Sequence, residues 1–236
     1  MIAQTGNRRR FVAALAGVPI ALAGSRRLAL AAAATDYGAT PTVPADQGLQ
    51  MLIDGNKRFV AGNLTSLSNL SQRRDEVATG QSPFAVIVCC SDSRVPPEIV
   101  FDQTLGQLFV VRTAGQVIDE AARGSIIYGV DFLKAPLLLV LGHSGCGAVD
   151  AAIAALAGNP IPGYAYRFAE GIGPAVQSVI NEPGDQLDNA IRANITMGAD
   201  QLRTAEPDLA AAVGSGQLTV AGGYYDLASG EVTILD

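Results

Sequence analysis

"FAVIVCCSDSRVPPE" (residues 84–98) runs seven apolar residues straight into a polar turn that carries Asp92 and Arg94. A half-exposed strand alternates apolar and polar residues, and a surface helix repeats its apolar residues every three or four. This run does neither. Short and apolar on both faces, it reads as a strand covered on both sides, the pattern of parallel sheets. Residues 108–112, 137–142 and 218–221 read the same way. Helices are expected over about 48–62, where Leu49, Leu52, Ile53 and Phe59 form a stripe, and over about 120–133 and 185–204. The end, "LTVAGGYYDLASGEVTIL" (218–235), reads as two strands about a turn at Ser229 and Gly230. The expected fold is therefore α/β: a single domain with a mostly parallel central sheet flanked by helices, closed by a C-terminal antiparallel strand or hairpin.

The N-terminus reads differently. "NRRRFVA" (7–13) sets paired arginines before an apolar run over 11–24, and "ALAAAAT" (29–35) follows. A basic stretch, a short apolar stretch and an alanine-rich end form a secretory signal of the twin-arginine type. The apolar run is about 14 residues, short of the ~20 that span a bilayer. Residues 1–34 are read as the signal, 35–47 as a proline-containing linker and 48–236 as the functional domain, exported and periplasmic. The signal holds five arginines and no acidic residue, so without it the formal charge of −6 becomes −11. So acidic a chain has no electrostatic footprint for nucleic acid or an anionic membrane, which points to a small-molecule substrate. Three cysteines, two of them adjacent, make a poor disulfide framework.

In open α/β sheets ligands collect beyond the carboxyl ends of the strands. One such end is Cys90; another leads into "LGHSGCGAV" (141–149). His143, the only histidine of the chain, stands three residues before Cys146 where a strand turns into a helix. Gly142, Gly145 and Gly147 are expected to relieve the backbone there, and the helix N-terminus favours a thiolate at Cys146. Cys90, His143 and Cys146 are the expected zinc ligands, a soft set that leaves the fourth position open, as catalytic zinc requires. Neighbours on a strand face opposite ways, so Cys89 is expected to be a buried packing residue. Asp92, on the side of Cys90 if the chain stays extended, would accept the proton of a zinc-bound water and pair with Arg94.

"CSDSRVPPE" followed by "GHSGCGAV" resembles the β-class carbonic anhydrases, from about Leu49 to the C-terminus. The resemblance implies one zinc per chain on Cys90, His143 and Cys146. It also implies an Asp92–Arg94 dyad governing the fourth position, with Asp92 a possible fourth ligand in a closed state. Gln81, nine residues before Cys90, Phe109, nineteen after it, and Tyr128, fifteen before His143, match residues that line the carbon dioxide pocket of the plant-type branch. Tyr128 would act across a dimer interface, so a homodimer or larger even-numbered oligomer is implied. Two positions depart from the family. Some bacterial members place a tryptophan of a regulatory bicarbonate site where this chain has Ile87, so no such switch is expected, and Arg112 alone is read as structural. Thr113 and Gln116 stand where asparagines are common.

The implied reaction is reversible hydration of carbon dioxide to bicarbonate and a proton, rising with pH above neutral and relying on buffer to carry the proton away. Three rivals use the same residues. A hydrolase of carbon disulfide or carbonyl sulfide would use the same zinc; a non-catalytic zinc module would not need the open position or the dyad. A Cys89–Cys90 redox pair would be strained.

Overall fold

The computed structural model describes residues 43–204 and 206–235. The expected signal over 1–34, and all but the last five residues of the expected linker, lie outside them. Helix α1 (Ala45–Val60) starts inside that linker, three residues ahead of the expected boundary. Pro44 precedes it with φ fixed near the helical value, Asp46 sits in its first turn and Lys57 and Arg58 in its last, each complementing the helix dipole.

Five strands form one sheet: β1 (Ala85–Cys90), β2 (Leu108–Thr113), β3 (Leu137–His143), β4 (Thr219–Tyr225) and β5 (Val232–Leu235). Their order is β2-β1-β3-β4-β5, with parallel pairs throughout except the antiparallel β4–β5 hairpin. The mostly parallel sheet with an antiparallel end follows from the apolar runs: every residue of β1 and of β3 is buried. Their side chains alternate between two cores. Val86, Val88, Leu138 and Val140 face Ile126, Val149, Ile172, Ile191 and Ile195, while Ile87, Cys89, Leu139 and Leu141 face Leu52, Val100 and Phe101. Burying branched side chains on both faces contributes about 1.5–3 kcal/mol for each, which is what holds the sheet between its helical layers.

The expected helix at 120–133 is α4 (Glu120–Ile127) continued by one π-helical stretch, Tyr128–Phe132; α3 (Pro97–Val100) is a single turn before β2. Asp119 caps α4 by accepting the amide of Ala122 at 2.8 Å. Helix α5 (Gly147–Leu156) follows β3, and α7 (Gln186–Thr204) lies where the stripe placed it. Three helices escaped the periodicity: α2 (Leu70–Val77), α6 (Tyr166–Ser178) and α8 (Pro207–Gly214). Helix α2 buries no residue and so has no stripe, while α6 carries Pro174 and two glycines that read as breakers. Buried Asn56 ties α1 to the rest. It donates to the carbonyls of Val100 and Gly230 at 3.1 and 2.8 Å and accepts the amide of Val232 at 2.8 Å. No helix among the described residues is long and apolar enough to cross a membrane.

Candidate metal centre

Strand β1 ends at Cys90 and β3 at His143, the neighbouring strands finishing at the same edge of the sheet. After His143 the chain turns through Gly145, whose φ of +61° lies in the left-handed region. It re-enters a helix with Cys146 at the N-cap of α5. The ligand atoms of Cys90, His143 and Cys146 all lie within 4.8 Å of one another, and all three residues are buried. The expected ligand trio is thus brought together.

Each ligand is held by its surroundings. His143 is fully buried, and its Nδ1 lies 3.0 Å from the Ser144 carbonyl, so the ring proton belongs on Nδ1 and the lone pair on Nε2. Among the described residues Nε2 has no hydrogen-bond partner. A buried polar atom left this way costs about 1–3 kcal/mol, and a metal ion on Nε2 removes that cost. Ser144 is fixed in turn, its amide donating to the Tyr225 carbonyl at 2.9 Å and its hydroxyl accepting the amide of Leu227 at 2.9 Å. The two sulfurs stand 4.0 Å apart. Without a cation they titrate as a pair. The Cys146 thiol, the adjacent His143 ring and the backbone N–H groups of Asp92 and Gly115 favour thiolate at Cys90 against the burial that opposes it, and that charge pushes the Cys146 thiol up. Two close sulfurs and a free imidazole nitrogen form a donor set suited to zinc.

Asp92 lies beside this trio and outside it. Its Oδ2 is 3.9 Å from His143 Nε2. Arg94 holds both carboxylate oxygens, Nε donating to Oδ1 at 2.9 Å and Nη2 to Oδ2 at 2.7 Å. That guanidinium keeps the carboxyl well below the usual carboxylate range. The pair was expected from an extended chain. Instead residues 92–95 form a turn, with the amides of Arg94 and Val95 donating to Asp92 Oδ1 and O at 2.9 and 3.0 Å. Cys89 packs into the opposite core, where burial pushes its thiol up to about 12.

The three expected pocket residues lie elsewhere in this chain. Phe109 and Tyr128 meet with ring centroids 5.9 Å apart, and Tyr128 stacks on Phe132 at 5.4 Å. Gln81 and Tyr128 line one shallow cavity of about 520 Å³ with Val77 and Leu105, and Gln81 is exposed. Phe109 is in register with Val86, four residues before Cys90, hence about 13 Å along the sheet from that ligand.

Several contributors were not foreseen. The amide of Gly115 donates to Cys90 Sγ at 3.3 Å, and Asn194 Nδ2 holds the Gly115 carbonyl at 3.0 Å. Thr113, one of the departures, closes that loop by donating its hydroxyl to the Val117 carbonyl at 2.7 Å. Gln116, the other, is buried at a φ of +47° with its side chain against Gly142. The three glycines also separate in role. A Cβ at Gly142 would lie 2.6 Å from Ile195 Cγ1, so that glycine provides space; Gly145 provides a turn; nothing crowds Gly147.

The carbonic anhydrase family profile matches residues 85–232. Carbonic anhydrase 2 of Mycobacterium tuberculosis is 40% identical over 186 residues, covering 78% of this chain and 90% of that protein. A carbonic anhydrase of Pseudomonas aeruginosa is 31% identical over 194 residues, covering 78% of this chain and 86% of that protein. Among solved structures, a β-carbonic anhydrase of Coccomyxa in complex with acetazolamide superposes with a TM-score of 0.63 at 26% identity, over 79% of this chain and 86% of that one.

Proposed function

This chain belongs to the β-carbonic anhydrase family, and we infer from that membership and the site geometry that it catalyses reversible hydration of carbon dioxide to bicarbonate and a proton. The observation that carries the reading is the buried trio Cys90, His143 and Cys146 with His143 Nε2 unpartnered. These side chains would hold one zinc ion. When bound, zinc supplies a Lewis acid that lowers the pKa of a coordinated water from about 15.7 towards about 7.

The chain's own residues do the rest. Asp92, kept ionised by Arg94, is an acceptor at the mouth of the trio. Its lowered pKa means that near neutral pH it orients a hydrogen-bond donor rather than storing the proton. With the only histidine engaged in the trio, no second imidazole relays the proton outward, so solvent and buffer carry it off. Were Arg94 to let go, Asp92, whose Oδ2 lies 3.9 Å from His143 Nε2, would be the residue to serve as a fourth ligand and close the site.

Gln81, Phe109 and Tyr128 complete the carbon dioxide pocket of a second copy in a dimer or larger even-numbered oligomer. Supporting this, the three gather at the far end of β1 and β2 from their own trio. The chain is exported by the twin-arginine route to the periplasm, a reading that rests on the arginine pair and short apolar run of residues 7–24.

Metal analysis and stopped-flow hydration of wild type and Cys146→Ser test the assignment. The expected result is one zinc per chain with activity in the first, and loss of both in the second. A zinc-loaded wild type inert towards carbon dioxide but active on carbonyl sulfide would overturn it.

A further inference from the structure

Beyond Cys90 and Thr113 the β1–β2 ladder stops, and on the other side of β1 the last register pair is Cys89 with Leu141. One more backbone bond follows, Ser91 N–H to the Thr113 carbonyl at 2.9 Å, and then residues 91–96 leave the sheet. This departing segment carries Asp92 and Arg94. The carbonyls of Cys90 and Asp92 have run past their strand partners, and one side chain reaches both, sharing the Asp92 carbonyl with the Val95 amide. Arg112 donates to the Cys90 carbonyl from Nε at 3.2 Å and from Nη2 at 3.1 Å, and from Nη2 to the Asp92 carbonyl at 2.7 Å. A guanidinium fork continues the ladder where the backbone ends.

We propose that Arg112 is a positioning residue for the hydration reaction: by holding the carbonyls of Cys90 and Asp92 together it fixes the turn that presents Asp92 to the metal trio. Arg112 is in register with Cys89, whose side chain packs into the core opposite to that of Cys90. Its grip therefore comes from the strand face behind the ligand, acting on carbonyl oxygens rather than on the reacting atoms. A planar guanidinium with several donors in fixed directions holds two carbonyls in one set geometry; a lysine ammonium offers charge and rotatable donors without the fork. The 3.9 Å between Asp92 Oδ2 and His143 Nε2 depends on this backbone. Displacing a reacting group by about 1 Å costs up to about a hundredfold in rate.

The inference rests on the carbon dioxide reading, and its test separates the two. Zinc-loaded full chains carrying Arg112→Ala and Arg112→Lys are compared with wild type by zinc content, by kcat and KM, and by amide hydrogen exchange. The expected result for Arg112→Ala is unchanged zinc, KM within about twofold and kcat down about tenfold or more, for a displacement short of 1 Å. Amide exchange should quicken at Arg94 and Val95 and stay unchanged in β3, and Arg112→Lys should recover only a minor part of the rate. Unchanged kcat, or unchanged exchange at residues 91–96, overturns the proposal. So does full recovery by lysine, which would make charge alone the cause. Zinc loss with faster exchange across the whole sheet also overturns it, because Arg112 would then be scaffold. A wild type inactive on carbon dioxide with the exchange effect intact refutes the reaction assignment and leaves the grip standing.

Discussion

Replacing Gly142 by alanine tests how tightly the histidine ligand is seated. Gly142 is buried in β3, immediately before His143. The added methyl would lie 2.6 and 2.7 Å from Cγ1 and Cδ1 of Ile195 in α7, and 3.0 Å from Gln116 Nε2. Ile195 is itself fully buried, so it cannot swing into solvent. Overpacking of this kind costs about 1–3 kcal/mol, partly offset by the ~0.5–1 kcal/mol that alanine gains over glycine in a strand. A net loss of about 1–2 kcal/mol corresponds to a melting temperature lower by roughly 2–8 °C in a domain of this size. Because the strain falls beside a ligand, zinc should also dissociate faster. Ile195→Ala alone should cost about 2–5 kcal/mol by leaving a cavity. In the double variant the new methyl uses that space, so the combined loss should fall short of the sum by about 1 kcal/mol or more. Gly147→Ala is the control: no heavy atom lies within 4 Å of its Cβ position, and the change should stay within about 0.5 kcal/mol. Urea unfolding of the zinc-loaded proteins reads all four. Equal losses for Gly142→Ala and Gly147→Ala, or strict additivity with Ile195→Ala, would refute the reasoning.

Asp102→Asn should destabilise the fold by about 2 kcal/mol at pH 7, because the buried carboxylate accepts from Arg58 Nε, from the Thr65 amide and hydroxyl and from the Ser66 amide. Burial opposes the charge there, yet these donors win and hold the carboxyl well below the usual range. A depressed folded value means that the stabilisation is complete above the ordinary carboxylate pKa and fades as pH falls below about 4. The gap between wild type and variant in pH-dependent unfolding should therefore close on the acid side; a gap that widens there contradicts the pairing. Turnover of the wild type should rise steeply with buffer concentration at fixed pH, since the chain has no second histidine to relay protons. Stopped-flow rates independent of buffer would point to an internal relay.

Much of the site was legible because its signals are local. The three-position step from His143 to Cys146 and the two-position step from Cys90 to Asp92 survive any arrangement of the rest. Asp92 and Arg94 do pair, but not along an extended chain: the side chains meet across a turn that Asp92 builds with its own carboxylate. Helices α2 and α6 were illegible, one having no buried stripe and the other interrupted by Pro174.

What the amino-acid sequence by itself determined is the sheet and its ligand-bearing edge. A strand apolar on both faces has to be buried on both sides, and side chains at the ends of neighbouring parallel strands must lie close together. What only the tertiary structure decided is how that edge is supported. The Gly115 amide on Cys90, the Arg112 fork, the carbonyl on His143, the space at Gly142 and the distance of Phe109 from its own trio all belong here. Most of these join residues remote in the chain, and all depend on how backbone segments end and pack, which no spacing along a sequence encodes.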